Sequence, residues 1–161
     1  MTSLITTFWN IYTESLKQTD QAIPVKYEAW HFCNNESDAN ELAKLVYEGQ
    51  KTATAGLVWS YEAEGCPIPK PGDLSVITFW DGSPVCIIET VDCAVLPFKE
   101  VPASFAFEEG EGDRSLEYWR NAHIKFFTEE CTAMGKLPES TMPVVCERFK
   151  VVYRKEGLFS G

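Results

Sequence analysis

The chain has 161 residues, 45% hydrophobic and 24% charged, with 14 basic against 24 acidic residues and a net charge of −10. Such a size and composition suit one globular domain with an ordinary apolar core. The acidic balance excludes tight binding to long duplex nucleic acid, which relies on lysine and arginine displacing counterions from phosphates, but it leaves room for a small neutral ligand or a local basic pocket.

No window approaches about 18 uninterrupted apolar residues, so no membrane span is expected. The N-terminus has no basic segment followed by a continuous apolar run, so no signal peptide is expected. The six cysteines (Cys33, Cys66, Cys86, Cys93, Cys131 and Cys146) form no Cys-x-x-Cys pair, and there are only two histidines. That supply argues against a metal site and for reduced, mostly buried thiols in a cytoplasmic protein.

In chain order, Ile5, Phe8, Trp9, Tyr12 and Leu16 share one helical face, with Thr2 or Ser3 as the cap. Tyr27 to Phe32 reads as an aromatic strand. A second helix is capped by Asp38, buries Leu42, Leu45 and Val46, and ends at Gly49. Lys51 to Trp59 leaves it as loop and strand. After a proline-rich loop (Pro67, Pro69, Pro71, Gly72), Asp73 to Trp80 and Val85 to Val95 form a hairpin around Asp81-Gly82. Asp113 is placed to cap a helix with the stripe Leu116, Trp119, His123 and Phe126. The last strand, Val144 to Tyr153, sets Glu147, Phe149, Val151 and Tyr153 on one face and Arg148, Lys150, Val152 and Arg154 on the other. Without a regular β-α-β alternation, the expectation is an α+β fold built on a mixed sheet or small barrel.

Two segments carry chemistry. Gly49-Gln50-Lys51-Thr52-Ala53-Thr54 brings an amine and two hydroxyls past a helix end. A lysine whose pKa is lowered can take a hydroxyl proton and make the oxygen nucleophilic. On a regular strand, however, Lys51 and Thr54 face opposite ways, and the bland alternative is a solvated lysine at a helix terminus. The acidic run Glu108-Glu109-Gly110-Glu111-Gly112-Asp113 can supply a general acid or base, or can simply start a helix. Trp59 and Tyr61 can stack a nucleobase or belong to the core. His123 lies on an apolar stripe, as core histidines do. Arg148, Lys150 and Arg154 can line a phosphate-tolerant groove or a solvated face.

Taken together, Gly49–Thr54, Pro71-Gly72-Asp73, Glu109-Gly110-Glu111-Gly112-Asp113 and Ser115-Leu116-Glu117-Tyr118-Trp119-Arg120-Asn121-Ala122-His123 resemble, in content and order, the ASCH domain family. The resemblance spans roughly residues 27 to 154. It implies a PUA-like mixed β-barrel with helices packed around it, as residues 25–161, preceded by an N-terminal helix and connection over 1–24.

It further implies RNA-linked or nucleoside-linked function. Superfamily members are regarded as RNA-binding, one is a ribonuclease, and a small bacterial branch hydrolyses the acetyl amide of acetylated cytidine. In that branch a lysine, a threonine and a glutamate are catalytic. They correspond here to Lys51, Thr54 and Glu111, with Glu109 a close rival for the last. Thr52, Trp59, Glu109, Arg120 and His123 are the implied binding residues. The implied mechanism has Lys51 deprotonating Thr54, which attacks the acetyl carbonyl, with no metal or cofactor; alanine at Lys51 or Thr54 then abolishes activity without unfolding. A non-catalytic RNA-binding module and a ribonuclease are the competing readings. The expected partner is a nucleoside or short RNA segment.

Overall fold

A computed structural model describes residues 3–159. In chain order the elements are α1 (Leu4–Gln18), β1 (Glu28–Trp30), α2 (Glu36–Glu48), β2 (Ala53–Leu57), α3 (Val58–Glu64), β3 (Leu74–Thr78), β4 (Pro84–Pro97), a 3-10 turn (Phe98–Glu100), α4 (Ala103–Glu109), α5 (Leu116–Met134) and β5 (Pro143–Arg154). The strands are hydrogen-bonded in the order β1-β3-β4-β5-β2. β1 runs parallel to β3, whereas β3–β4 and β2–β5 are antiparallel. The mixed α+β class expected from the missing β-α-β alternation is therefore the one observed. Among the described residues, no helix is long and apolar enough to cross a membrane.

The contacts define two compact units. The first comprises the residues up to 49, 72–89 and those from 150 onward. Here the Ser3 hydroxyl caps α1 by accepting from the Thr6 amide at 3.1 Å; the alternative cap, Thr2, lies outside the described residues. The expected face of α1 is the buried one. Phe8, Trp9 and Tyr12 pack with Val76 of β3 and Ile87 of β4, flanked by Ile5 and Leu16. Trp9 also stacks on Tyr27 with ring centroids 4.3 Å apart. The aromatic strand is shorter than its composition suggests, running only from Glu28 to Trp30.

The cap of α2 is Asn35, not Asp38. The Asn35 carboxamide oxygen accepts from the Asp38 amide at 2.9 Å, and its NH2 group donates to the Asp38 carboxylate, also at 2.9 Å. Asp38 thus occupies the third helical position of a reciprocal cap, which a pattern search centred on the acid misplaces by one turn. Gly49 ends α2 in the left-handed region, as expected. The hairpin follows its turn signal, with Gly82 at φ 89° and Ile77 paired with Cys86.

The second unit comprises residues 50–71 and 90–149. Its core gathers Ala53, Leu57, Phe98, Phe105, Trp119, Phe127, Met142, Val144 and Cys146. The expected strand from Lys51 to Trp59 stops at Leu57, and residues 58–64 form α3, so Trp59 sits on a helix. The acidic run is not all loop either: Glu108 and Glu109 close α4, which Gly110 terminates at φ 73°. The cap of α5 is Ser115 rather than Asp113. The Ser115 hydroxyl accepts from the Tyr118 amide, while Asp113 accepts from the Ser115 amide. Along α5 the buried line is Trp119, Phe127 and Cys131, with Phe126 half-buried beside it.

Replacing Asn35 by alanine removes both arms of the α2 cap. The variant is expected to lose about 1 kcal/mol of stability in urea unfolding, with an unchanged slope.

Candidate functional site

Four side chains of the second unit converge at the junction of β2, α4 and α5. The Lys51 ammonium donates three short hydrogen bonds, each 2.8 Å: to the Ala53 carbonyl, to Glu109 Oε1 and to Glu111 Oε2. The Glu109 carbonyl is a further, longer acceptor at 3.5 Å. The other Glu109 oxygen accepts from the Trp119 indole N–H and lies 3.1 Å from His123 Nε2. His123 Nδ1 lies 2.9 Å from the Trp119 carbonyl. With an acceptor facing each ring nitrogen, the imidazole is held as the doubly protonated cation. The side chains of Lys51 and Glu109 are each 1% exposed, His123 12% and Glu111 19%. Two cations and two carboxylates make a neutral group that reaches solvent mainly at Glu111.

The local sequence explains the convergence. Glu109 is the last residue of α4, and Gly110 turns the chain back on itself in the left-handed region, so the following Glu111 returns to the same ammonium. The glycine is also required sterically. A Cβ there would stand 2.5 Å from the Gln50 carbonyl oxygen, which no side chain tolerates. The Gln50 side-chain amide closes the loop from the other side by donating to the Gly110 carbonyl at 2.7 Å. Trp119 and His123, one turn apart on α5, stack with centroids 4.2 Å apart and present their N–H groups together.

Burial and charge compete at each group, and charge wins. Burial alone would lower the pKa of Lys51, but Glu109 and Glu111 outweigh it and hold the ammonium well above its usual range. Burial would raise Glu109, yet Lys51 and His123 pull it well below the usual carboxylate range. His123 is raised in the same way: burial opposes its charge, and Glu109, ahead of Glu111, more than compensates. Lys51 therefore retains its proton, a different role from the proton abstraction that the resemblance implies. The donor atoms of Glu109, Glu111 and His123 lie within 4.8 Å of one another, a spacing that suits a cation. The Lys51 ammonium already lies on both carboxylates.

Thr54 sits one peptide further on. β2 is the outermost strand on its side of the sheet. The Phe149 amide bonds the Thr52 carbonyl at 3.0 Å, so by antiparallel alternation the Ala53 carbonyl turns away from β5, toward the edge where Lys51 binds it. Ala53 and Leu57 lie in the core, with Ala55 packed against it. Thr54 therefore points to the opposite face. There it stands in register with Glu147 of β5, a carboxylate only 3% exposed. Glu147 Oε2 in turn accepts a 2.6 Å hydrogen bond from the Thr90 hydroxyl of β4.

Among the other expected site residues, Thr52 is exposed and its amide bonds the Glu108 carbonyl at 2.8 Å. Trp59 packs against the core with the Lys136 ammonium 5.2 Å from its ring centroid. Arg120 is exposed and donates to the Lys99 carbonyl at 3.2 Å. The basic face of the last strand is largely spoken for: Arg148 pairs with Glu108 and Asp92, and Arg154 donates to the Tyr47 carbonyl. Sequence reading missed Trp119 as a ligand of Glu109 and missed Glu147 altogether. Glu147 left one signal, being the lone carboxylate on a strand face otherwise made of Phe149, Val151 and Tyr153.

The ASCH domain family matches residues 28–153, so the chain belongs to that family. A comparison with curated protein sequences found no match. Among solved structures, the ASCH domain from Lactobacillus crispatus JV V101 superposes with a TM-score of 0.87 at 36% identity, over 96% of this chain and 97% of that one. Protein EF3133 from Enterococcus faecalis V583 gives 0.81 at 29% identity, over 94% and 89%. The hypothetical protein PH0355, at 20% identity and 0.52, shares the fold alone. The fold is thus PUA-like, as the sequence motifs imply, a class that often binds RNA.

Two outcomes follow from the buried quartet. Lys51→Ala leaves two carboxylates facing each other with only His123 to offset them, and a loss of about 3–5 kcal/mol is expected in urea unfolding. The pH dependence has two limbs. Glu109 has a lowered pKa, so its stabilisation is full above its unfolded value near 4.5 and fades as pH falls below it. His123 has a raised pKa, so its share is full below 6.5 and fades as pH rises through the higher folded value. Urea midpoints should therefore fall on both sides of this window, and the alkaline limb should flatten in His123→Gln.

Proposed function

We propose that the chain is a nucleoside amidohydrolase that removes the acetyl group from acetylated cytidine, with Thr54 as nucleophile and Glu111 as the proton-handling acid. The observation that carries this reading is the buried Lys51–Glu109–Glu111–His123 quartet. It fixes a cation on the peptide leading into Thr54 and meets solvent at a carboxylate. A buried, neutral arrangement of four ionisable groups is costly to assemble, and such groups concentrate where chemistry is done.

The Glu111 carboxylate takes the Thr54 proton as the threonine oxygen bonds to the acetyl carbon, and it hands that proton to the cytidine amine as the C–N bond breaks. Water then attacks the acetyl-threonine ester, giving up one proton to the carboxylate, and acetate leaves with Thr54 restored. Lys51 contributes a fixed positive charge and orients Glu111 rather than moving protons. Glu109, locked by Trp119, His123 and Lys51, is the support of that cation, which favours Glu111 over its rival as the catalytic acid.

Charge fits the substrate class. A nucleoside carries no phosphate, so a chain at −10 does not repel it, and the pairing of Arg148 removes one of the basic groups that a longer RNA would use. Thr52, Trp59 and Arg120 border the segments that carry the reacting groups and are the candidate contacts for base and ribose. The substrate pool would be cytoplasmic.

Incubating the purified protein with acetylated cytidine and following free cytidine by chromatography tests the reading. Turnover is expected, and Thr54→Ala and Glu111→Gln should each lose about 10²–10⁴-fold in kcat, with Thr54→Ala unfolding like the parent. Lys51→Ala is a poor probe, because its lost activity would accompany lost stability. No turnover, together with salt-dependent affinity for a short single-stranded RNA, would replace the hydrolase with a binding module.

A further inference from the structure

The first unit holds a cavity of about 430 Å³, within the size range of small-molecule sites. It lies between the C-terminal half of α1, the connection over residues 21–24 and the β3–β4 pair. Leu16, Ile23, Pro24 and Leu74 give it apolar walls, and the Tyr12 phenol and the Glu89 carboxylate line it as well. From this cavity we infer a binding site for a small organic ammonium ion, a primary amine carried on a short apolar body. The site takes no part in the proposed hydrolysis and does not depend on it.

The two polar groups are positioned without being satisfied. Tyr12 is 7% exposed, with its ring packed against Trp9 and Tyr153, so packing rather than its hydroxyl fixes it. Glu89 is half-buried on β4 opposite Leu74 of β3. Among the described residues, none hydrogen-bonds the Tyr12 hydroxyl and no cation pairs with Glu89. The groups are close enough to sense each other: burial raises the Tyr12 pKa, and the Glu89 charge adds to the rise. Yet they do not bond each other. An ammonium group placed between them, with three N–H donors, satisfies the carboxylate and the phenol oxygen together.

Charge selects the ligand. The cavity borders the last turn of α1, whose carbonyls carry a partial negative charge that favours a cation. Lys17, the basic residue of that turn, pairs with Glu14 at 3.5 Å and leaves Glu89 uncompensated. An anion would meet Glu89 and the helix end together. A neutral ligand would desolvate the carboxylate without pairing it, which is costly. A bare divalent metal is also a poor occupant, because calcium and magnesium take about six or more oxygen ligands and this lining offers few. The apolar walls favour a hydrocarbon body behind the charge. A chain at −10 also draws cations toward itself.

The test titrates the full chain by calorimetry at neutral pH with 2-phenylethylamine, and with 2-phenylethanol as its uncharged counterpart. The amine should saturate with a dissociation constant of about 1 mM or lower, and the alcohol should bind at least about tenfold more weakly. Glu89→Gln, which keeps the size and removes the charge, should weaken amine binding at least about tenfold, and Tyr12→Phe a few-fold. Nuclear Overhauser contacts should connect the bound amine to the Tyr12 ring. The amine–alcohol comparison and these contacts use the unaltered protein, so they decide even where a variant fails to fold. Equal affinity for amine and alcohol, undiminished amine binding in Glu89→Gln, no contact with Tyr12, or no saturation by about 10 mM amine overturns the site.

Discussion

Three 2.8 Å hydrogen bonds from one buried ammonium organise the second unit of this protein. Lys51 ties the end of α4, the loop that follows it and the edge of β2 to a single point, and it does so where water cannot share the load. Two carboxylates this close repel each other strongly unless a cation lies between them. The ammonium therefore makes the approach of Glu109 and Glu111 possible. Trp119 and His123 then hold the far oxygen of Glu109, which keeps the carboxylate aimed at Lys51. Each member is satisfied only if the others are present, so the group specifies one arrangement rather than several.

The same constraint divides the chemistry. A lysine that is held charged is a good anchor and a poor base. On the other face of β2, Thr54 stands in register with Glu147, which accepts from the Thr90 hydroxyl. The edge of β2 thus holds fixed charge, while Thr54 lies on the face opposite Ala53 and Leu57. The chain's acidity enters here as well. Its charge of −10 is not aimed at the buried quartet, which is neutral, and is better matched to an uncharged ligand than to a polyanion.

Much of the fold is legible in the sequence because its signals are local. The face of α1, the Gly49 terminus, the Asp81-Gly82 hairpin and the last strand all rest on period and turn chemistry, and each is found. The misplacements share a cause. Asp38 and Asp113 look like caps, but in both cases a nearby polar residue, Asn35 or Ser115, takes the amide and leaves the acid in a supporting bond. Trp59 reads as strand because aromatic residues favour sheets, yet tertiary packing places it on α3.

Motif order singles out Lys51, Glu109, Glu111 and His123, and the structure brings the four together, but what they do to one another is not written in the motifs. A protonation state depends on partners 58 and 60 residues away, and no local pattern reports them. Cross-strand partners such as Thr54 and Glu147 are likewise invisible until the register is known.

The central claim is that Lys51 is a permanently charged anchor. With the protein labelled at lysine side-chain nitrogens, nuclear magnetic resonance reads that state directly. The Lys51 nitrogen should appear as a slowly exchanging ammonium coupled to three protons, and it should remain so as pH is raised past 10.5, the ordinary lysine value, for as long as the fold persists. A Lys51 nitrogen that loses its proton at or below that value would contradict the claim and return proton abstraction to the lysine.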